Sequence, residues 1–116
     1  MQKTTIIINE NHTLLPEQEN ILKKRFREWE TLLVPSDGWN KHERDEICHE
    51  IKGNVVFVSP IAGMIKDLTM RTMINMIKNE EIEVAPYVFS NDKRDKMELP
   101  NGKIIPKVAE TGWYLE

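Results

Sequence analysis

The run Val56-Phe57-Val58-Ser59-Pro60-Ile61-Ala62-Gly63 constrains this chain more than any other part of it. The stretch Asn54–Val58 is rich in β-branched side chains and holds no charge. Such a stretch suits a central parallel strand covered on both faces. Ser59, Pro60 and Gly63 break it, and an apolar helical pattern opens at Met64. In open α/β sheets, ligands bind outside the carboxyl ends of strands that hand over to a helix in this way. The free N–H groups and the positive dipole end of that helix favour an anion. The run points to a binding site rather than to a reaction.

The rest of the chain repeats the same alternation. Thr4–Ile8 reads as a first strand, followed by the polar stretch Asn9-Glu10-Asn11-His12-Thr13. Pro16 suits a first helical turn. Ile21, Leu22, Phe26 and Trp29 then recur at helical spacing, with Lys23, Lys24, Arg25 and Arg27 directed elsewhere. Thr31–Val34 is a short second strand, ended by Pro35-Ser36-Asp37-Gly38. A second helix spans about Asn40–Ile51, with Gly53 expected in the C′ role. After the strand Asn54–Val58, a third helix covers about Ala62–Asn79 and a fourth strand Val84–Phe89. Pro86 inside that strand argues for an edge or a bulge. Asn101-Gly102 between Met97-Glu98-Leu99 and Ile104-Ile105 signals a C-terminal β-hairpin, and Trp113-Tyr114-Leu115 suits a last edge strand. The order β-α-β-α-β-α-β predicts an α/β fold with a mostly parallel sheet and flanking helices.

At 116 residues, the chain is expected to form a single domain, 1–116. A formal net charge of −3 argues against a nonspecific binder of long nucleic acid, so any polyanion site must be a local basic patch. The single Cys48 excludes an internal disulfide and a cysteine metal cluster, and suits a reducing cytoplasm. No stretch approaches the ~20 apolar residues that span a membrane, and Ile6–Ile8 is too short for a signal peptide core. There is no Gly-x-Gly-x-x-Gly and no Walker loop, which counts against dinucleotides and nucleoside triphosphates.

Three polar strand ends share the carboxyl edge of the expected sheet: Asn9–Thr13, Ser59–Gly63 and Ser90–Arg94. Amides and hydroxyls there can read a base or a ribose, and Lys93 and Arg94 can meet phosphate. Taken singly, each loop is also what a plain turn looks like, because asparagine favours turns. His12, the one histidine in these loops, either moves a proton near phosphate or caps a surface turn. His42 and His49 share a helix face with Glu43, Asp45, Glu46 and Glu50, which reads as a solvated face rather than a metal site. The third helix carries Met64, Ile65, Leu68, Met70, Met73, Ile74, Met76 and Ile77, more than one apolar stripe requires. Either it is sandwiched within the monomer, or its second face meets another subunit.

Three features together resemble a known family. They are the Ile-rich first strand with its His-containing loop, the Val-Phe-Val-Ser-Pro turn, and Phe89-Ser90-Asn91-Asp92-Lys93-Arg94 followed by Glu98-Leu99-Pro100-Asn101-Gly102-Lys103. The chain resembles the small, stand-alone, CRISPR-associated proteins related to the Rossmann-like domains (CARF) that sense cyclic oligoadenylates, several of which are ring nucleases of antiviral defence. The resemblance implies a Rossmann-like homodimer with a ring of adenylates across its two-fold axis. It implies cleavage without metal or cofactor, by a ribose 2′-OH on its own 3′-phosphodiester. By position, it gives ligand contacts to Asn9, Asn11, Ser59, Ala62, Gly63, Ser90 and Asn91, and the chemistry to His12, Lys93 and Arg94. Two other readings stand beside it: a noncatalytic sensor or sponge of the same messenger, and a Rossmann-like interaction protein that binds no nucleotide.

Overall fold

A computed structural model describes residues 2–116. In chain order the elements are β1 (Thr4–Asn9), α1 (Pro16–Phe26), β2 (Glu30–Val34), α2 (Lys41–Glu50), β3 (Gly53–Phe57) and α3 (Ala62–Ile77). They continue with β4 (Val84–Asn91), β5 (Asp95–Glu98), β6 (Ile104–Lys107) and β7 (Trp113–Leu115). The main sheet has the order β2-β1-β3-β4-β7. Its first four strands are parallel, and β7 joins β4 antiparallel at the edge. β5 and β6 form a separate antiparallel pair. This is the mostly parallel α/β, Rossmann-like architecture that the alternating pattern predicts.

The period-2 alternation of the central strands sorts the core into two halves. Ile7, Val55 and Phe57 face one side, where Met64 and Leu68 of α3 cover them, with Ile47 and Cys48 of α2 packed alongside. Ile6 and Val56 face the other, under Leu22, Ile21 and Phe26 of α1. Six of these strand and helix residues, among them Val55, Val56 and Phe57, lose all contact with solvent. Each such side chain contributes about 1.5–3 kcal/mol by leaving water.

Element ends differ from the sequence pattern for identifiable reasons. β3 stops at Phe57 because the N–H groups of Val58 and Ser59 both donate to the Ile7 carbonyl, so the ladder no longer advances. β4 runs on to Asn91 because its last three residues gain an antiparallel partner in β7. α3 ends at Ile77, and Asn79 takes the left-handed conformation that stops it (φ 56°). Gly53 is not the C′ residue of α2: Ile51 caps that helix, and Gly53 opens β3 at φ 85°. A Cβ there would collide with the Lys3 carbonyl, so close backbone approach explains this glycine.

Pro86 is tolerated because β4 has a free edge beside it. Val88 exchanges hydrogen bonds with Glu116 on the β7 side, and Pro86, two residues back, faces the same side beyond the reach of β7. In the hairpin, Gly102 N–H donates to Leu99 and Leu99 N–H to Lys103, with Gly102 at φ 82°. That is a three-residue loop closed by a left-handed glycine. Among the described residues, no helix is long and apolar enough to cross a membrane.

Candidate functional site

The strand order fixes where a ligand site belongs. β1 connects to β2 on one side, and the chain then crosses back to β3 on the other. The crevice between the carboxyl ends of β1 and β3 is therefore the switch point of the sheet, where open α/β folds bind ligands.

Asn9 closes β1, and Ser59 follows β3 by two residues. The Asn9 N–H donates to Ser59 Oγ at 2.9 Å, tying the two strand ends together. Beyond Asn9 the chain turns tightly: His12 N–H donates to the Asn9 carbonyl at 2.9 Å and Asn11 N–H to Asn9 Oδ1 at 2.9 Å. This Asx turn swings the exposed His12 ring back over β3. Its Nδ1 lies 3.3 Å from Ser59 Oγ. One serine hydroxyl thus meets both an amide donor and an imidazole. A hydroxyl has one proton and two lone pairs, so it satisfies either tautomer of His12. If Nδ1–H donates to Ser59, Nε2 is a free base; if the hydroxyl donates to Nδ1, Nε2 carries the proton. The arrangement holds the ring in place and leaves its outer nitrogen for proton transfer.

Ala62 and Gly63 form the first turn of α3, exposed next to Ser59. Ile61 at the N-cap offers no side-chain acceptor, so the first amides of α3 have no cap. A methyl group on Gly63 would stand 3.7 Å from Arg44 Nη1. Arg44 comes from α2 and, among the described residues, pairs with no carboxylate. With Asn9, Ser36, Trp39, Ser59 and Ile61 it lines a cleft of about 410 Å³ on the β2 side of the switch point. Sequence reasoning missed Ser36, Trp39 and Arg44. The available signal was topological: β2 is also parallel, so Pro35-Ser36-Asp37-Gly38-Trp39 leaves the sheet at the same edge. A larger hollow, beside Lys3, Phe26, Arg27 and Trp29, lies at the opposite edge, where parallel sheets do not place ligands.

Ser90, Asn91, Lys93 and Arg94 form a second cluster with a different set of partners. Ser90 Oγ donates to Glu116 at 2.6 Å, and Asn91 Nδ2 donates to the Thr111 carbonyl at 3.0 Å. Lys93 Nζ donates to Thr111 Oγ1 at 2.6 Å, and Arg94 Nη1 to the Asn91 and Lys93 carbonyls. The Asn91 and Lys93 bonds pin the end of β4 to the segment before β7, the Ser90 bond ties it to Glu116 just past β7, and Arg94 closes the turn on its own backbone. Asp92 first, then desolvation and Glu116, push the Tyr114 phenol above its ordinary range, so acidic charge is mixed with the two cations. Among the described residues, no hydrogen bond joins this cluster to Asn9, His12 or Ser59.

On α2, His42 Nε2 meets Glu46 at 3.0 Å on an exposed face, and His49 is exposed one helical stretch further on. Cys48 is half-buried against the core, and burial pushes its thiol pKa up. No protein-family model, curated protein or solved structure matches this chain.

Proposed function

We propose that this protein binds cyclic oligoadenylate, with cyclic tetra-adenylate the first choice, at the carboxyl edge of its sheet. There it opens the ring as a metal-independent ring nuclease of CRISPR-type antiviral signalling. The observation that carries the reading is the Asn9–Ser59–His12 cluster at the switch point between β1 and β3. It combines amide and hydroxyl groups, suited to ribose and base edges, with one imidazole held by a hydrogen bond. The uncapped start of α3 at Ala62 and Gly63, with Arg44 beside it, supplies positive potential for a phosphate.

In the reaction, a ribose 2′-OH attacks its own 3′-phosphodiester. The new bond closes a 2′,3′-cyclic phosphate, and the 5′-oxygen of the next nucleotide leaves with a proton. His12 Nε2 takes the 2′-OH proton in one tautomer or delivers the leaving-group proton in the other. The protein's main contribution is to hold the ribose in line and to stabilise charge on the phosphate. The reading includes a homodimer formed through α3 and neighbouring loops, which suits a ligand with rotational symmetry. It also places the protein in the cytoplasm.

One observation favours a second reading, a noncatalytic sensor or sponge. Lys93 is engaged by Thr111, and Arg94 by the Asn91 and Lys93 carbonyls of its own turn, so the two cations assigned to the chemistry already serve structural contacts. Incubation with labelled cyclic tetra-adenylate, with and without EDTA, separates the readings. Linear or cyclic-phosphate products in both conditions support the ring nuclease. Retention without turnover supports the sensor, and neither binding nor products refutes both.

A further inference from the structure

The chain that leaves β2 is fixed before it reaches α2. Gly38 N–H donates to the Pro35 carbonyl at 2.8 Å and closes a turn. Ser36 N–H donates to Glu10 Oε1 at 2.8 Å, which ties that turn to the residue after β1. A capping box then starts α2: Asn40 N–H donates to Glu43 Oε1 at 3.1 Å, and Glu43 N–H to Asn40 Oδ1 at 2.8 Å. In such a start, the residue before the cap and the fourth helical residue stand on one side, where two apolar side chains often pack together. Here those positions hold Trp39 and Arg44.

Both residues line the cleft of about 410 Å³ beside the switch point. Trp39 is half-buried and packs against the core on the Ile7 and Phe57 side of the sheet. Arg44 does not stack on it: among the described residues, the guanidinium that lies over an aromatic ring is Arg25, over Tyr87. Arg44 has no carboxylate partner either. Among the described residues, the Trp39 indole N–H has no acceptor, whereas that of Trp113 donates to the Ala109 carbonyl. Ser36 uses only its backbone N–H, so its hydroxyl is free as well.

Three kinds of group therefore meet in one cleft. An aromatic ring offers a base a stacking surface. A free guanidinium binds phosphate through paired N–H donors. The carboxylate of Asp37, also in the cleft, has two acceptor oxygens for ribose hydroxyls. The volume is near the lower end of the roughly 300–1,000 Å³ of small-molecule sites, which suits one nucleotide rather than four. Charge limits the number of phosphates. The one cation of the cleft faces Asp37 there, and Glu10 lies behind Ser36, so a second or third phosphate meets repulsion instead of a partner.

We propose that the cleft between the β2–α2 loop and the start of α3 is a subsite for a single nucleoside monophosphate unit. The base lies on Trp39, the phosphate on Arg44 and the ribose hydroxyls on Asp37. The unit is a free nucleotide or one member of a ring of them. This subsite rests on the proposed function only in placing the ligand at the switch point. It requires neither a ring nor cleavage, so the two can fail separately.

The test is titration of the isotope-labelled full chain with AMP, adenosine and inorganic phosphate, followed by NMR. AMP binds the wild type saturably, with a Kd of about 1 mM or tighter, and shifts Ser36, Trp39 and the Arg44 side chain. Adenosine, which lacks the phosphate, binds about ten- to a hundredfold more weakly. Arg44→Gln lowers the affinity for AMP to that for adenosine and leaves adenosine unchanged; Arg44 has no partner to lose, so this variant keeps the fold. Trp39→Leu weakens AMP and adenosine alike and leaves the response to inorganic phosphate unchanged. Trp39→Phe recovers most of that loss, as stacking requires. Displacement of AMP by cyclic tetra-adenylate assigns the cleft to a ring unit, and its absence assigns it to the free nucleotide. No AMP binding, AMP shifts that avoid residues 36–44, or equal AMP affinity in wild type and Arg44→Gln overturns the subsite. AMP bound at these residues with cyclic tetra-adenylate left intact supports the subsite and refutes the ring nuclease. Ring cleavage that both Arg44→Gln and Trp39→Leu leave unchanged, without AMP binding, does the reverse.

Discussion

Removing the Ser59 hydroxyl should loosen the junction between β1 and β3 by a measurable amount. In Ser59→Ala the Asn9 N–H loses its 2.9 Å acceptor. A hydrogen bond of this kind contributes about 0.5–1.5 kcal/mol net, and a donor left without a partner costs about 1–3 kcal/mol when buried. Asn9 is half-buried, so a loss of about 1–2 kcal/mol is expected. Unfolding entropy is about 2.1 cal/mol/K per residue, which for a chain of 116 residues makes 1 kcal/mol equal to roughly 4 °C. Ser59→Ala should therefore melt about 4–8 °C below the wild type, by calorimetry or circular dichroism. Ser59→Thr keeps the hydroxyl and should recover most of the loss. Ser36→Ala is the control: Ser36 is exposed and its backbone N–H, not its hydroxyl, bonds Glu10, so the shift should stay within about 2 °C. Equal melting of Ser59→Ala, Ser36→Ala and wild type would refute the strand-end coupling. The His12 imidazole provides a second readout. Loss of the Ser59 contact at 3.3 Å should change its Nδ1 signal in a nitrogen-detected NMR titration.

Four other outcomes follow from the same geometry. Gly53→Ala, at φ 85° and with its Cβ in the Lys3 carbonyl, should cost at least the 1–2 kcal/mol of a left-handed L-residue, read as a drop in the urea midpoint. His12→Ala should slow ring opening by roughly 10²–10⁴-fold in single-turnover assays while leaving affinity nearly intact; an unchanged rate assigns His12 to turn capping. Lys93→Ala and Arg94→Ala should weaken cyclic tetra-adenylate binding about ten- to a hundredfold, with a smaller effect at high salt and little effect from Lys96→Ala; equal affinities would confine both residues to their structural contacts with Thr111 and the turn backbone. Burial raises the Cys48 thiol pKa, so the folded state favours the protonated form. Its contribution to stability is complete below the ordinary thiol value and is lost as pH rises through the higher folded value. Cys48→Ala should flatten that alkaline decline in chemical denaturation curves.

The fold was legible because the strongest signals were local. Val55, Val56 and Phe57 need cover on both faces, and only a central strand with helices on both sides supplies it. Pro16, Asn40 and Gly102 marked helix starts and the hairpin loop through their own backbone preferences. What stayed hidden was nonlocal. The extension of β4 to Asn91 depends on β7, more than 20 residues later. Gly53 looks like a helix stop, and only the approach of Lys3 explains it. For the site, strand polarity placed Asn9, His12 and Ser59 at one edge of the sheet, and their meeting there needed β1 to lie beside β3. The inclusion of Trp39 and Arg44 needed the order β2-β1-β3, which alternation does not specify. The engagement of Lys93 by Thr111 was invisible to composition, because Thr111 lies beyond the whole hairpin.

Amide NMR of the isotope-labelled chain, titrated with cyclic tetra-adenylate, tests most directly whether the switch point is the ligand site. The expected result is a set of saturable shifts centred on Asn9, Asn11, His12, Ser59, Ala62 and Gly63, extending to Trp39 and the Arg44 side chain. The contradicting result is an unchanged spectrum, or shifts confined to residues away from the carboxyl ends of β1 and β3.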